Sequence, residues 1–219
     1  MLLAEERALV VRYAQLMAKR GLTRGAGGNV SIRRGDRVAV TPSGVAYDRM
    51  RPEDVVVLDL AGAVVQGALR PSSESGMHLA CYRSRADLGA VVHTHSTFAT
   101  VVACLRRPLP PVHYLIGYAG GTVPCIPYLP FGSAELAETA AEAMRDANAV
   151  LLGGHGLLCG GPEIARAFDT AEQIEFVAEL YYRTELLGGA PLLDGEQLAD
   201  VRARFETYGQ PSPSEARGD

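Results

Sequence analysis

The 219-residue chain has no tryptophan, a single lysine and no hydrophobic run long enough to cross a membrane as a helix. A membrane-spanning helix needs about 20 consecutive apolar residues, so we expect a water-soluble protein that does not bind membranes. Lys19 lies beside Arg20 near the end of the first predicted helix, where we expect its ammonium group to be solvated. Schiff-base enzymes need an activated, desolvated lysine, and this chain offers none.

The chain also contains few cysteines and carries a small net charge. The four cysteines are far apart in apolar segments, which is typical of reduced, buried thiols rather than of disulfides or a Cys-x-x-Cys metal site. The N-terminal segment carries Glu5 and Glu6 within its apolar pattern and lacks the basic start and small-residue cleavage site of a secretory signal. The net charge of -4 comes with no basic stripe, so nucleic acid is not an expected partner. These features predict a cytoplasmic protein.

Hydrophobic periodicity predicts one domain over residues 1–209 and a disordered polar tail over residues 210–219. A helix is predicted over residues 3–20, and several further helical patterns follow it along the chain. Residues 29–44 and 54–67 alternate around short turns, which predicts two antiparallel hairpins. Hairpins mixed with helices favour an α/β fold of three layers, in which a mainly antiparallel or mixed central sheet lies between helices.

Two of the five histidines form a His-Thr-His motif at the end of an apolar strand. Alternate side chains of a strand point to the same side, so His93 and His95 should project together. His155 lies in the segment LLGGHGLLCGG, whose small residues leave space for an imidazole. Three histidines and a carboxylate suit a catalytic divalent metal with one open coordination position. Taken alone, however, His-x-His is explained equally well as a polar pair at a strand end.

Three turns rich in glycine and small hydroxyl residues are suited to binding an anion. In RPSSES, Ser72 and Ser73 come just before Glu74 at the predicted start of a helix, where backbone N–H groups favour phosphate. The same residues also fit a simple helix cap. RGAGGNVS and TPSG offer amides and hydroxyls of the same kind, which favours a phosphorylated ligand. His78, one helical turn after Glu74, is interpreted as a core or supporting residue rather than a metal ligand.

Eight short motifs occur in an order and spacing that resemble the class II, zinc-dependent L-fuculose-1-phosphate aldolases, which share a superfamily with L-ribulose-5-phosphate 4-epimerase. The motifs are GGNVS, TPSG, PSSE, VVHTHS, HYLIGYAGG, PYLPFG, GHGLL and FETYG. The resemblance extends from the first helix to about Tyr208, and it implies the aldolase/adducin-like form of the three-layer fold.

The resemblance also implies roles for individual residues. One zinc ion per subunit would be bound by Glu74, His93, His95 and His155. The phosphate of a sugar would be held by Gly28, Asn29, Ser43, Gly44, Ser72 and Ser73. The catalytic residues would be Glu74 as the base, with Tyr114, Phe131 and Tyr208 shaping the aldehyde site or assisting proton transfer. Homotetramers with active sites at subunit interfaces are typical of the family, so Tyr114 would act in its own or a neighbouring subunit.

The implied reaction is reversible cleavage of L-fuculose 1-phosphate, or a related ketose phosphate, to dihydroxyacetone phosphate and L-lactaldehyde. Without a lysine for a Schiff base, the electron sink would be the metal. L-Ribulose-5-phosphate 4-epimerase and methylthioribulose-1-phosphate dehydratase remain alternatives. Residues 113–125, where the epimerase has an acidic residue, contain no Asp or Glu. A non-enzymatic adducin-like binding domain is disfavoured because all four ligand candidates are present.

Overall fold

The computed structural model describes residues 1–206, so Tyr208 and the predicted tail over residues 210–219 lie outside the described residues. The strands are β1 (Asn29–Arg34), β2 (Arg37–Val40), β3 (Val56–Asp59), β4 (Val64–Gln66), β5 (Ala90–Thr94), β6 (Cys125–Ile126), β7 (Ala149–Leu152) and β8 (Gly156–Gly161). The α-helices are α1 (Ala4–Lys19), α2 (Ser75–Ser84), α3 (Thr97–Cys104), α4 (Ala134–Ala143), α5 (Ile164–Glu185) and α6 (Gly195–Glu206). Short 3-10 helices span Tyr47–Arg49, Pro52–Asp54 and Tyr114–Ala119.

All eight strands belong to one sheet, in the order β4-β3-β2-β1-β5-β8-β7-β6. Both predicted hairpins are present, and every neighbouring pair is antiparallel except β6 and β7, which are parallel. The register places Asn29 of β1 opposite His93 of β5, and Ser31 opposite Val91. This mixed sheet confirms the predicted sheet type and brings a polar end of β1 against the His-Thr-His segment.

Helices cover both faces of the sheet, which confirms the three-layer α/β architecture. Val92 of β5 packs into a core with α1, α3 and α5, whose buried residues include Met17 and Phe168. Its neighbour Val91 points the other way, into a second core with Met77 of α2 and the buried alanines of α4. The sequence of β5 up to its His-Thr end is continuously apolar because both faces of this strand are buried. Among residues 1–206, no helix has the length and apolar character that crossing a membrane requires.

Helix α2 begins slightly later than the serine motif predicted. Its first residue is Ser75, and Glu74 is the N-cap residue, although the Glu74 side chain does not cap the helix. Ser72 lies upstream and accepts a hydrogen bond from the Glu74 backbone N–H at 3.3 Å. Ser72 thus bonds a backbone N–H at the start of the helix, as a capping serine does, while the Glu74 carboxylate is directed at the histidines.

Candidate metal centre

A cluster of one carboxylate and three imidazoles lies where separate segments of the chain meet. Its ligand atoms, from Glu74, His93, His95 and His155, all lie within 4.8 Å of one another. His93 Nε2 is 3.0 Å from His95 Nε2, 3.2 Å from His155 Nε2 and 3.4 Å from Glu74 Oε2. Glu74 Oε1 is 3.2 Å from His155 Nε2. The fold thus brings together all four residues that were predicted as metal ligands.

Glycine residues make this close approach of the chain segments possible. The antiparallel pairing of β5 with β8 sets Thr94 opposite Leu157 and so carries the turn with His155 to the end of β5. A Cβ atom on Gly156 would lie 2.3 Å from the Thr94 carbonyl oxygen and 3.1 Å from His95 Cδ2. A Cβ atom on Gly27 would lie 2.8 Å from His95 Nδ1. Side chains at these two positions would displace the imidazoles from the cluster.

The protonation of the imidazoles suits metal binding. Burial lowers the pKa of His93 well below its ordinary value, and the neighbouring His95 and His155 lower it further. Burial, and then His155, lower the pKa of His95 to about 4. Both rings are therefore neutral at pH 7, which is the form that binds a metal. His93 Nδ1 lies 3.0 Å from the Leu157 carbonyl oxygen, so it carries the proton and leaves the Nε2 lone pair facing the cluster.

The donor set fits a divalent cation. Glu74 Oε1 is buried and has no hydrogen-bond partner among the described residues, which is costly for an ionised oxygen. Imidazole lone pairs and a carboxylate that face one another are all electron donors, so a cation between them resolves the repulsion. Three nitrogens and one oxygen match the ligand types of a catalytic zinc site.

A cavity of about 280 Å³ opens beside the cluster. Its lining includes Glu74, His95 and His155 of the cluster together with Tyr128, Leu129 and Phe131. Phe131 thus lies where a residue that shapes a substrate pocket should lie. Tyr128 and Leu129 were not predicted to line the site, although they belong to the same PYLPFG motif as Phe131.

The three turns that were predicted to hold a phosphate meet at this end of the sheet. Ser43 N–H donates to the Arg70 carbonyl oxygen and Ser72 N–H donates to the Thr41 carbonyl oxygen, each at 3.0 Å, so the second and third turns lie side by side. Thr41 in turn bonds both backbone groups of Val30 in β1. The segments that contain the predicted phosphate residues are thus linked by backbone hydrogen bonds.

Two of these turn residues also contact the metal cluster. Gly28 has a φ of +69°, and a Cβ atom there would lie 2.5 Å from the His93 carbonyl oxygen. Asn29 Nδ2 donates to Glu74 Oε2 at 2.9 Å. This hydrogen bond was not predicted, because the sequence places the two residues 45 positions apart.

Comparison with known proteins identifies the family. The family model described as Class II Aldolase and Adducin N-terminal domain matches residues 8–182. This chain belongs to the class II aldolase family. A 5-deoxy-D-ribulose 1-phosphate aldolase of Bacillus thuringiensis serovar kurstaki is 48% identical over 96% of this chain and 100% of its own length. An L-fuculose phosphate aldolase of Escherichia coli K12 is 40% identical over 88% of this chain and 90% of its own. A solved L-fuculose 1-phosphate aldolase superimposes with a TM-score of 0.92 at 38% identity, covering 94% of this chain and 98% of that one.

As a class II aldolase, the chain is a metal-dependent lyase, and the cluster of Glu74 and three histidines could hold the metal. One predicted residue, Tyr114, is not among the residues that line the cavity beside that cluster. Tyr114 is half-exposed and lines a different cavity with Tyr118, and its ring lies 6.2 Å from the Phe205 ring. Tyr208 lies outside the described residues. Within one chain, the structure therefore does not bring Tyr114 into the wall of the metal cavity.

Proposed function

We propose that this class II aldolase cleaves a ketose 1-phosphate between C3 and C4, releasing dihydroxyacetone phosphate and a short aldehyde. The observation that carries the proposal is the convergence of Glu74 and three histidines at a cavity, beside turns suited to phosphate. The relatives are named for 5-deoxy-D-ribulose 1-phosphate or L-fuculose phosphate. Cleavage would give acetaldehyde from the first sugar and L-lactaldehyde from the second.

The two candidate sugars share the features that the site is suited to bind. Both carry a phosphate on C1, a ketone on C2 and a terminal methyl group. The phosphate would be held by the turns with Gly28, Asn29, Ser43, Gly44, Ser72 and Ser73. The methyl end would lie against the apolar wall of Tyr128, Leu129 and Phe131. Apolar walls with few polar groups are typical of small-molecule sites, and here they favour an aldehyde with an apolar tail.

Each part of the cluster has a proposed task. A divalent ion, proposed to be one Zn²⁺ per subunit, would supply a Lewis acid for the substrate ketone. His93, His95 and His155 would hold this ion through neutral imidazoles. Glu74 would take the proton from C3 of dihydroxyacetone phosphate in condensation and return it in cleavage. The Asn29 side chain supports this placement of the carboxylate, because its Nδ2 donates to Glu74 Oε2 at 2.9 Å.

Tyr114 is proposed to complete the site from a neighbouring subunit of a homotetramer. There it would protonate the aldehyde oxygen in condensation and take the proton of the C4 hydroxyl in cleavage, with Tyr208 assisting. Its half-exposed position, away from the metal cavity of its own chain, supports this assignment. A cytoplasmic location is proposed because all four cysteines are free thiols.

The test is a substrate panel with the zinc-loaded protein. L-Fuculose 1-phosphate, 5-deoxy-D-ribulose 1-phosphate and L-ribulose 5-phosphate are assayed for dihydroxyacetone phosphate with a coupled NADH-oxidising dehydrogenase. We expect triose phosphate from at least one of the two 1-phosphates. We expect no epimerisation of L-ribulose 5-phosphate, because residues 113–125 contain no carboxylate for a second acid/base group. Rapid epimerisation without free triose phosphate would refute the proposal.

A further inference from the structure

A row of buried polar side chains leads from Glu74 into the core between β1 and α2. Asn29 Nδ2 lies 2.9 Å from Glu74 Oε2, and Asn29 Oδ1 lies 2.5 Å from His78 Nε2. His78 Nδ1 lies 2.7 Å from Ser31 Oγ, which lies 2.7 Å from the Tyr82 hydroxyl. None of these side chains is more than 8% exposed, and His78 is fully buried. Such a row of polar side chains is rare in a protein core unless every polar group has a hydrogen-bond partner.

The carboxylate fixes the direction of every hydrogen bond in this row. A carboxylate oxygen accepts hydrogen bonds, so Asn29 Nδ2 donates to Glu74 Oε2 and Asn29 Oδ1 faces His78 Nε2. His78 Nε2 must then carry the ring proton, which leaves Nδ1 to accept from Ser31 Oγ. The Tyr82 hydroxyl donates to Ser31 Oγ at 2.7 Å, with the Ser31 carbonyl oxygen as a second acceptor at 3.1 Å, and ends the row. All donors thus point toward the metal cluster.

The opposite orientation of Asn29 is unfavourable. It would set the amide oxygen 2.9 Å from a carboxylate oxygen, where two acceptors repel each other. Such a flip becomes accessible if residue 78 presents no N–H group to the amide oxygen. Burial lowers the pKa of His78 to about 3, so the ring is neutral at pH 7 and has a single proton to place.

We propose that His78 is a positioning residue that acts through Asn29. By donating its Nε2 proton to the amide oxygen, it holds the amide N–H groups toward the Glu74 carboxylate and the adjoining phosphate turns. The Glu74 carboxylate is thereby held in place for metal binding and proton transfer. The inference rests on the proposed function, but its structural core, the Nε2–H tautomer of His78, can be measured without any substrate.

Three variants separate positioning from simple core packing. His78→Gln keeps an N–H donor near the position of Nε2, whereas His78→Phe keeps a planar buried ring without a donor. Tyr82→Phe is the matched control, because it removes a buried hydroxyl at the far end of the same row. The readouts are zinc affinity by chelator competition and the rate of hydrogen exchange at C3 of dihydroxyacetone phosphate.

We expect His78→Phe to lose about 10- to 100-fold in zinc affinity and in exchange rate, as is typical when a partner of a metal ligand is removed. His78→Gln and Tyr82→Phe should stay within a few-fold of the original protein. Nitrogen-15 NMR of the metal-free original protein should show His78 protonated at Nε2. Equal losses in the Gln and Phe variants, or a ring protonated at Nδ1, would overturn the inference.

The two proposals can fail separately. If the protein cleaves no ketose phosphate yet His78 carries its proton on Nε2 and His78→Phe weakens zinc binding, the proposed function fails and the positioning role stands. If cleavage is observed but His78 is protonated at Nδ1, the positioning role fails alone. Should His78→Phe not fold, the tautomer and the His78→Gln variant still decide the question.

Discussion

The Glu74→Gln substitution tests the division of labour within the metal cluster. Glutamine has the shape of glutamate, and its amide oxygen can still accept the 2.9 Å hydrogen bond from Asn29 Nδ2. Its NH₂ group must then replace Oε1, which lies 3.2 Å from His155 Nε2. The site loses its negative charge and its proton acceptor, but it keeps three imidazoles.

The expected effects on chemistry and on metal binding differ in size. A positioned general base contributes about 100- to 10,000-fold to a rate, or roughly 3 to 5 kcal/mol of barrier. Exchange of the C3 hydrogen of dihydroxyacetone phosphate should fall by about that factor. Zinc should remain stoichiometric when it is supplied in excess, because His93, His95 and His155 still provide three nitrogen ligands.

The assay is proton NMR of dihydroxyacetone phosphate in D₂O with zinc-loaded protein, together with metal analysis of the same sample. Glu6→Gln is the matched control, because Glu6 is 9% exposed, Glu74 is 8% exposed, and Glu6 pairs with Arg34. The control should exchange at the rate of the original protein. Exchange at an unchanged rate in Glu74→Gln with full zinc occupancy would show that another group is the base.

Three further predictions follow from the same geometry. Removing the metal with a chelator should abolish aldol cleavage while the circular dichroism spectrum stays largely native, and added zinc should restore activity; full activity without metal would end the metal hypothesis. Tyr114→Phe should keep hydrogen exchange at dihydroxyacetone phosphate but lose cleavage of the sugar phosphate, and equal loss of both would refute its role. Burial lowers the pKa of His78 from its ordinary value of 6.5 to about 3 in the folded protein. The unfolded chain therefore binds a proton that the folded protein does not, and the free energy of unfolding falls as the pH drops below about 6.5. Urea unfolding of the metal-free proteins measures this effect. When the pH is lowered from 6.5 to 5, the free energy of unfolding should fall by about 2 kcal/mol less in His78→Gln than in the original protein. Identical pH dependence of the two proteins would contradict this.

The metal ligands could be predicted because their geometry is local or is carried by a specific motif. The period of two in a strand places His93 and His95 on one side, and this holds although β5 itself ends at Thr94. The flanking glycines of His155 anticipated a tight turn. The two antiparallel hairpins could be predicted because their alternation is visible in the sequence.

The contacts that support the site could not be predicted from the sequence in this way. Asn29 meets Glu74, and Ser31 meets His78, only because β1 packs under α2, and no sequence period encodes that pairing. The two-residue strand β6 pairs in parallel with β7 and is too short to give a pattern. The segment before α2 is also held by backbone hydrogen bonds at the Thr41 and Arg70 carbonyl groups, and the sequence does not reveal this contact between two turns.

Charge explains why the site combines neutral histidines with a single carboxylate. The protein carries a net charge of -4, so its overall field repels a sugar phosphate. Histidine binds a metal as the neutral imidazole, so in the metal-bound site Glu74 would contribute the only formal charge among the four ligands. A divalent ion would therefore leave the cluster with one positive charge, next to the turns proposed for phosphate and the N-terminus of α2. A second carboxylate would cancel this attraction, whereas replacing Glu74 by histidine would remove the base; one carboxylate among three histidines satisfies both requirements.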